Sequence, residues 1–521
     1  MQIEKKRVAW QIAYEIMVRS IEPLSLTQLH PCSGQYNGLT IINKANNEPF
    51  AMINLNGDSI KLGDDSLLDP YVDMFKADKV KLFRSIARSG EITLNDQPVR
   101  RAAALEFLLE IIDLDIEIDS AWLDSSYESR LRIDANKFPT YPLNDKEDRL
   151  AHLPWWILSC SNIPIAMCNI ESGELILQST KKFNLNDIGE QHKAISYIQN
   201  LIDWQKTILQ TKHELDKHSE WRARYEGYAD EITGNIDIIK SIRRRFREWE
   251  PLKFYINVTN AKKAKSTVWL DIRFLGQKIG DLKCTAKEIK ISTDNCESTN
   301  KRDFGCDISL SSVDWDSTKA REFRRYFRDL LRNGFTQNKG NEEHRIESLI
   351  LSELSRKNDK ILRNMAPVTI NNVRFPMPTP LKASDHSTVT YAKQYGGGID
   401  VFARAGTGGV NTTLCIMELK DENKPSEPPK DAIKQALVYT TFIRKLLLSQ
   451  SGDKWWKLFG FNGAVPDKLV LNAVCVMPSN SNNDLTFKDQ ELNIGDDDIA
   501  KLQYIYFTEK ENRVVDVIKS F

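Results

Sequence analysis

The sequence predicts a mixed α+β chain built of several domains. At 521 residues it has room for about three. Short apolar and β-branched runs bounded by Asn, Gly and Pro alternate with longer segments whose apolar residues recur every three or four positions. One nearly continuous apolar run, KLVLNAVCVM at residues 468–477, suits a strand buried on both faces. Hydrophobic residues make up 41% of the chain, enough for ordinary packed cores.

Residues 1–190 read as an N-terminal α+β domain. Residues 1–18 are basic and then amphipathic, carry acidic residues and lack a small-residue cleavage site, so they predict a helix rather than a signal peptide. Runs at 38–43, 49–55 and 58–62, separated by the turn residues Asn46, Asn47, Asn56 and Gly57, predict a small meander. Helices are expected over 79–88 and 99–113, and strands over 156–159, 163–168 and 174–178. Trp122, Trp155 and Trp156 sit in apolar contexts that favour core or interface anchors over base-stacking platforms.

Residues 191–250 predict one or two long charged helices. Ile198, Leu201, Ile202, Ile208, Leu209 and Leu215 form only a moderate apolar stripe that does not sustain heptads, so a connector or a dimerisation arm fits better than a coiled coil. The most basic run, residues 240–249, reads more readily as a helix end complementing its dipole than as a phosphate contact. Residues 251–335 predict a small α+β domain. Its strands fall at 254–258, 267–274, 278–284 and 307–311, with a hairpin at Phe274, Leu275, Gly276 and Gln277. A helix follows over 317–331, in which arginines including Arg324 and Arg325 alternate with aromatics. That pattern hints at nucleic acid and equally fits a core face with a solvated rim. Residues 333–340 read as a linker into the last domain, 336–521.

Bulk properties narrow the function. The 72 basic and 72 acidic residues cancel, so any nucleic-acid footprint must be local. No apolar stretch is long enough for a membrane span, so no membrane partner is expected. Eight scattered cysteines without a CxxC pair or Cys–His spacing predict reduced thiols in a cytoplasmic protein, with neither a zinc site nor a disulfide framework. There is no phosphate-binding loop, no GxSxG, and no metal-protease arrangement among the seven histidines.

The chemistry concentrates in the last third. Residues 399–405 and 414–420 predict two strands joined by a Gly/Thr/Asn-rich turn at 406–413. Side chains alternate along a strand, so Cys415, Met417 and Leu419 share one face and Ile416, Glu418 and Lys420 the other. Asp400 interrupts the first strand as Glu418 and Lys420 interrupt the second. Charges in such a setting are costly unless paired or bound to metal. A magnesium or manganese site for phosphodiester hydrolysis explains them, with Asp400 and Glu418 as hard oxygen ligands and Lys420 orienting or helping to deprotonate a metal-bound water, or offsetting phosphate charge. The alternative is a half-exposed edge strand with a surface Glu–Lys pair.

Asp400, Glu418-x-Lys420 and the following helix at 432–448, with Gln435 and Tyr439, resemble the PD-(D/E)xK nuclease superfamily. No Pro precedes Asp400; the residue is Ile399. The resemblance implies a restriction-endonuclease-like core of helix, three-strand meander, helix and strand, and an acidic residue on the first helix. That helix is expected over 341–357, and Glu347 is favoured over Glu343 because it sits among the apolar positions. The implied set is Glu347, Asp400 and Glu418 on the metal, Lys420 at the nucleophilic water and Gln435 at the phosphate. Lys434 and Arg444 on the later helix are candidate backbone contacts. DNA is the implied substrate ahead of RNA. The combination of nuclease and large unrecognised N-terminal region resembles prokaryotic restriction and phage-defence effectors. Self-association or a protein partner is expected through the N-terminal region and connector. A non-catalytic binding or assembly module on the same fold is the other expectation. Finally, residues 502–507 predict the last strand and the GDDD run at 495–498 a helix start.

Overall fold

The computed structural model describes residues 181–521 apart from 247–248, 260–265, 295–303, 335–341, 384–388, 394–395, 407–411 and 497. Before residue 181 it describes mainly the strands named below and a helical stretch at 106–111. The helix expected over residues 1–18, Trp122, the side chains of Trp155 and Trp156, and most of the 333–340 linker lie outside the described residues. The chain is mixed α+β and divides into two compact units, Met1–Lys206 and Thr207–Phe521.

The first unit holds two five-stranded sheets. One runs in order β1 (Leu24–Gln28), β2 (Gly38–Asn43), β3 (Glu48–Asn54), β4 (Ser59–Leu62) and β5 (Lys81–Phe83). The predicted meander is its centre. The helix expected over 79–88 is not formed at its middle, because residues 81–83 pair in parallel with β4. The second sheet is β6 (Glu117–Ser120), β7 (Trp155–Cys160), β8 (Ile163–Asn169), β9 (Glu174–Leu177) and β10 (Lys182–Asn184), antiparallel throughout. Helix α1 (Ile188–Lys217) runs through the division into the second unit.

In the second unit the expected connector resolves into further helices, α2 (Glu220–Gly234) and α3 (Ile236–Phe246). Then come β11 (Lys253–Ile256), β12 (Val268–Phe274), β13 (Gln277–Cys284), β14 (Ile289–Ser292) and β15 (Val313–Asp314), closed by helix α4 (Thr318–Asn333). The strand expected over 307–311 is absent: Leu310 bonds only locally, with Thr293 and the Ser292 hydroxyl, and residues 289–292 make the ladder instead. Ser317 caps α4 through the Ala320 amide.

The part that carries the site starts with α5 (Glu342–Leu354). It continues through β16 (Met365–Pro367), the short hairpin β17 (Thr369–Ile370) and β18 (Val373–Arg374), and the small pairs β19 (Pro378–Thr379) with β22 (Gly397–Gly398) and β20 (Leu381–Lys382) with β21 (Thr390–Tyr391). After these come β23 (Val401–Ala405), β24 (Thr413–Leu419), α6 (Pro429–Leu447), α7 (Gly452–Leu458), β25 (Val470–Pro478), β26 (Glu491–Gly495), β27 (Asp498–Lys510) and β28 (Arg513–Lys519). The central sheet has the order β16-β23-β24-β25-β27-β26, with β28 paired to β27. β16, β23 and β24 form an antiparallel meander, and α6 carries the chain over to β25, which lies parallel to β24.

Sequence alternation builds this core. Val401, Ala403, Ala405, Cys415, Met417, Leu419, Val474 and Val476 point to one face and pack with Ile346, Leu349, Ile350 and Leu354 of α5. Strand β18 adds to β11, so the sheet of residues 253–314 and the central part share one unit. Helix α2 buries Trp221, Tyr225, Tyr228, Ala229 and Ile232. Trp221 and Tyr225 meet Phe442 of α6 edge-on, and the Tyr225 hydroxyl donates to the Pro378 carbonyl. On this helix large aromatics do the packing, whereas on α1 Ile198, Leu201, Ile202, Ile208 and Leu215 of the moderate stripe are buried.

Candidate metal centre

The site forms where the C-terminal end of β24 meets the first turn of α5. The register Val401↔Met417 sets the start of β23 opposite the end of β24, which brings Asp400 beside Glu418. One Asp400 oxygen accepts the Leu419 amide at 2.9 Å, locking the carboxylate to the partner strand. The first turn of α5 is held from two sides. Arg345 reaches Glu509 and Asn512 at the β27–β28 hairpin. On the other side the β12–β13 hairpin abuts His344: a Cβ on Gly276, whose φ is +82°, would lie 1.9 Å from the His344 carbonyl oxygen. Leu275 and Gly276 both have positive φ, the conformation of a two-residue hairpin turn, so Gly276 satisfies the turn and the close approach together.

The result is a three-carboxylate cluster. Oxygens of Glu343, Asp400 and Glu418 lie within 4.8 Å of one another. Lys420 Nζ stands 3.3 Å from Glu418 and 3.5 Å from Glu343. Glu418 is buried, and its Oε2 has no hydrogen-bond partner. Burial pushes the Glu418 carboxyl up to about 7, opposed by Lys420 and reinforced by Glu343. Asp400 also rises well above the usual carboxylate range, through burial and the neighbouring Glu418. Lys420 moves up despite its burial, because the three carboxylates favour its ammonium form.

These groups fit a divalent cation. The donors are hard oxygens, their negative charge exceeds what one ammonium offsets, and a buried carboxylate oxygen is left unsatisfied. Glu343, Asp400 and Glu418 are the residues that would hold it.

The favoured helix carboxylate is displaced. Glu347 is buried but is taken up by Arg273 at 3.5 Å and His344 at 3.5 Å; Glu343, one turn earlier, joins the cluster. Glu347 still adds negative charge at Asp400. The physical reason is axial: the end of β24 lies level with the first turn of α5, not its second. Gln435 is buried on α6 with an unpartnered Oε1, and among the described residues no hydrogen bond joins it to the carboxylates.

The expected nucleic-acid contacts fare unevenly. Arg444 is buried and bonded to Asp496 and Asp498, so it is not a backbone contact. The same pair explains why Gly495, Asp496 and Asp498 begin no helix: Gly495 ends β26 and Asp498 opens β27, and both aspartates face that guanidinium. Arg324 is likewise buried, stacked 3.9 Å from the ring centres of both Trp249 and Trp315. Arg325 is exposed and Lys434 half-buried.

Sequence reading missed the loop clasp beside the site. Asn480 and Asn482 donate to the Asn423 carbonyl, and Asn423 donates to Asn483. The clasp joins the segments leaving β24 and β25. The four asparagines in SNSNND and near KDENK were the available signal. Compared with known proteins, the chain matches no family model, no curated protein and no solved structure. Among the described residues no helix is long and apolar enough to cross a membrane.

Proposed function

We propose that the unit 207–521 is a divalent-metal-dependent nuclease that hydrolyses phosphodiester bonds, with DNA as substrate. The observation that carries this is the Glu343–Asp400–Glu418 cluster with Lys420 at its side and an unsatisfied Glu418 oxygen within it. The order α5, β16-β23-β24, α6, β25, with β17–β22 and α7 interposed, supports the resemblance to the PD-(D/E)xK superfamily, whose core is helix, meander, helix and strand.

A bound magnesium or manganese ion would supply Lewis-acid activation of water and phosphate at this point. The chain's own groups do the rest. Asp400 is fixed by the Leu419 amide, so its second oxygen is presented with little freedom. Lys420, 3.3 Å from Glu418, is placed to act on phosphate oxygens or an attacking water. Arg345 and the Gly276 contact hold Glu343 in place from both sides.

The test is cleavage of supercoiled plasmid with magnesium or manganese, comparing wild type with Lys420→Ala. Nicking or linearisation by wild type alone supports the reading. Equal cutting by both proteins means the chemistry lies elsewhere. Absence of cutting on plasmid, single-stranded DNA and RNA favours the non-catalytic module.

A further inference from the structure

Helix α4 carries a feature that neither the metal site nor the core uses. Its sequence TKAREFRRYFRDLLRN holds the basic residues Lys319, Arg321, Arg324, Arg325, Arg328 and Arg332 against the acidic Glu322 and Asp329. Arg324 is consumed by the Trp249–Trp315 stack, and Phe323 and Phe327 are buried. Four of the others fall at spacings of four, three and four: Arg321, Arg325, Arg328 and Arg332. At about 100° per residue they occupy a sector about 60° wide and about 16 Å long on the helix. Arg321, Arg325 and Arg332 are exposed, and Arg328 is half-buried with its guanidinium 5.3 Å from the Trp249 ring.

An exposed charged helix is usually a solvated face with mixed signs. Elsewhere in this charge-neutral chain several exposed basic residues pair with acids, among them Arg222 with Asp216, Lys240 with Asp237 and Lys454 with Asp230. On α4 the exposed arginines gather on one face. Among the described residues, the side chains of Arg321, Arg325 and Arg332 make no ion pair or hydrogen bond, and neither Glu322 nor Asp329 falls within the stripe.

The helix that carries the stripe is also packed against the hairpin beside the metal centre. Arg324 donates to the Trp315 carbonyl and anchors α4 to its sheet. Phe327, on the buried side, packs 5.0 Å from Phe274 at the end of β12. The next residues form the hairpin whose Gly276 abuts His344, the neighbour of Glu343. Thus a short chain of packed contacts links the helix to the carboxylate cluster.

We propose that the Arg321–Arg325–Arg328–Arg332 face of α4 is a nucleic-acid docking surface that grips the phosphate backbone of duplex DNA and delivers it to the metal centre. The inference rests on the nuclease reading for its purpose but not for its test. A 16 Å stripe spans about five phosphates of one strand at about 3.4 Å of axis each. Contacts of this kind are independent of base sequence and act through counterion release.

The experiment is fluorescence anisotropy of the full chain with a labelled 20-base-pair duplex, in EDTA so that nothing is cut, from 50 to 200 mM NaCl. The expected result is binding by wild type whose logarithm falls linearly with log salt. The triple variant Arg321→Ala/Arg325→Ala/Arg332→Ala should lose about 3 from the slope, at about 0.9 per phosphate, and bind at least about tenfold more weakly at 50 mM. A control triple, Arg363→Ala/Lys457→Ala/Lys468→Ala, removes the same charge from exposed sites near the opposite end of the central sheet and should keep the wild-type slope. An unchanged slope in the α4 triple, an equal loss in the control, absence of wild-type binding, or binding to anionic vesicles but not to the duplex would each overturn the proposal. Matching melting temperatures exclude misfolding, since every substituted side chain is exposed. The nuclease reading fails separately: a wild type that binds through α4 yet never cuts sinks that reading and leaves this one, while plasmid cleavage with an intact salt slope in the triple does the reverse.

Discussion

Two charge clusters, each with a buried carboxylate, lie on the central sheet of the second unit, and they are built on opposite principles. At the β26–β27 turn, Arg444 donates to Asp498 at 2.6 Å and to Asp496 at 2.7 Å. The other Asp498 oxygen accepts the Leu469 amide, and Asp496 is largely in water. Even the backbone is shaped to the guanidinium: a Cβ on Gly495, at φ +133°, would fall 2.6 Å from it. At the end of β24, by contrast, carboxylates are gathered with one ammonium, and a Glu418 oxygen stays unmet. The first cluster is complete in itself and serves the fold. On the proposed reading the second is completed by a cation, and without one its unmet Glu418 oxygen is a cost to the folded state.

The contrast can be broken most severely in activity. Glu418→Gln should reduce plasmid cleavage by at least about 10³-fold, the scale at which losing a metal ligand removes the activated water. Its urea midpoint should hold or rise, because a buried carboxylate short of partners becomes a neutral amide. Arg444→Ala should behave in reverse. It strands the buried Asp498 and should lower stability by about 3–5 kcal/mol in urea unfolding, while cleavage per folded molecule persists.

Smaller effects sharpen the same comparison. Saturating manganese at about 100 times Kd should stabilise wild type by about 2.7 kcal/mol in thermal or urea unfolding and leave Glu418→Gln unmoved. Without metal, stability should depend on pH in a defined direction. Glu418 has its folded-state pKa raised from 4.5 to about 7, so the folded state holds the extra proton between those values. Stability is therefore greatest at the acid end of that window and falls as pH rises through about 7, by an amount on the order of 1–3 kcal/mol. Asp400 shifts in the same direction and adds to the slope. Metal should flatten this profile. Smallest of all, Glu347→Gln should change manganese affinity by only about threefold, against about tenfold or more for Glu343→Gln, as calorimetry would show.

Much of this architecture was legible in the chain because it rests on local rules. Strand alternation put Cys415, Met417 and Leu419 on one face and Glu418 with Lys420 on the other, and the first three pack together in the core. The Phe274–Gln277 turn was visible as a two-residue loop with its glycine in place. What escaped was set by distant partners. The choice between Glu343 and Glu347 depends on where α5 sits along the sheet, a shift of one helical turn, about 6 Å. That shift is fixed by Arg345 meeting Glu509 and Gly276 meeting His344, contacts remote in sequence. The GDDD run resembled a helix start because its capping acids are real acceptors; their donor proved to be a guanidinium far back in the chain. Arg324 looked like a phosphate contact until two tryptophans enclosed it.

The central claim is that Glu343, Asp400 and Glu418 await a divalent cation. Calorimetric titration of manganese into the metal-free protein tests it most directly, run in parallel on wild type, Glu418→Gln and Arg444→Lys. The account predicts saturable binding by wild type, its loss in Glu418→Gln and its retention in Arg444→Lys. No binding by wild type, or binding that survives Glu418→Gln unchanged, would contradict it.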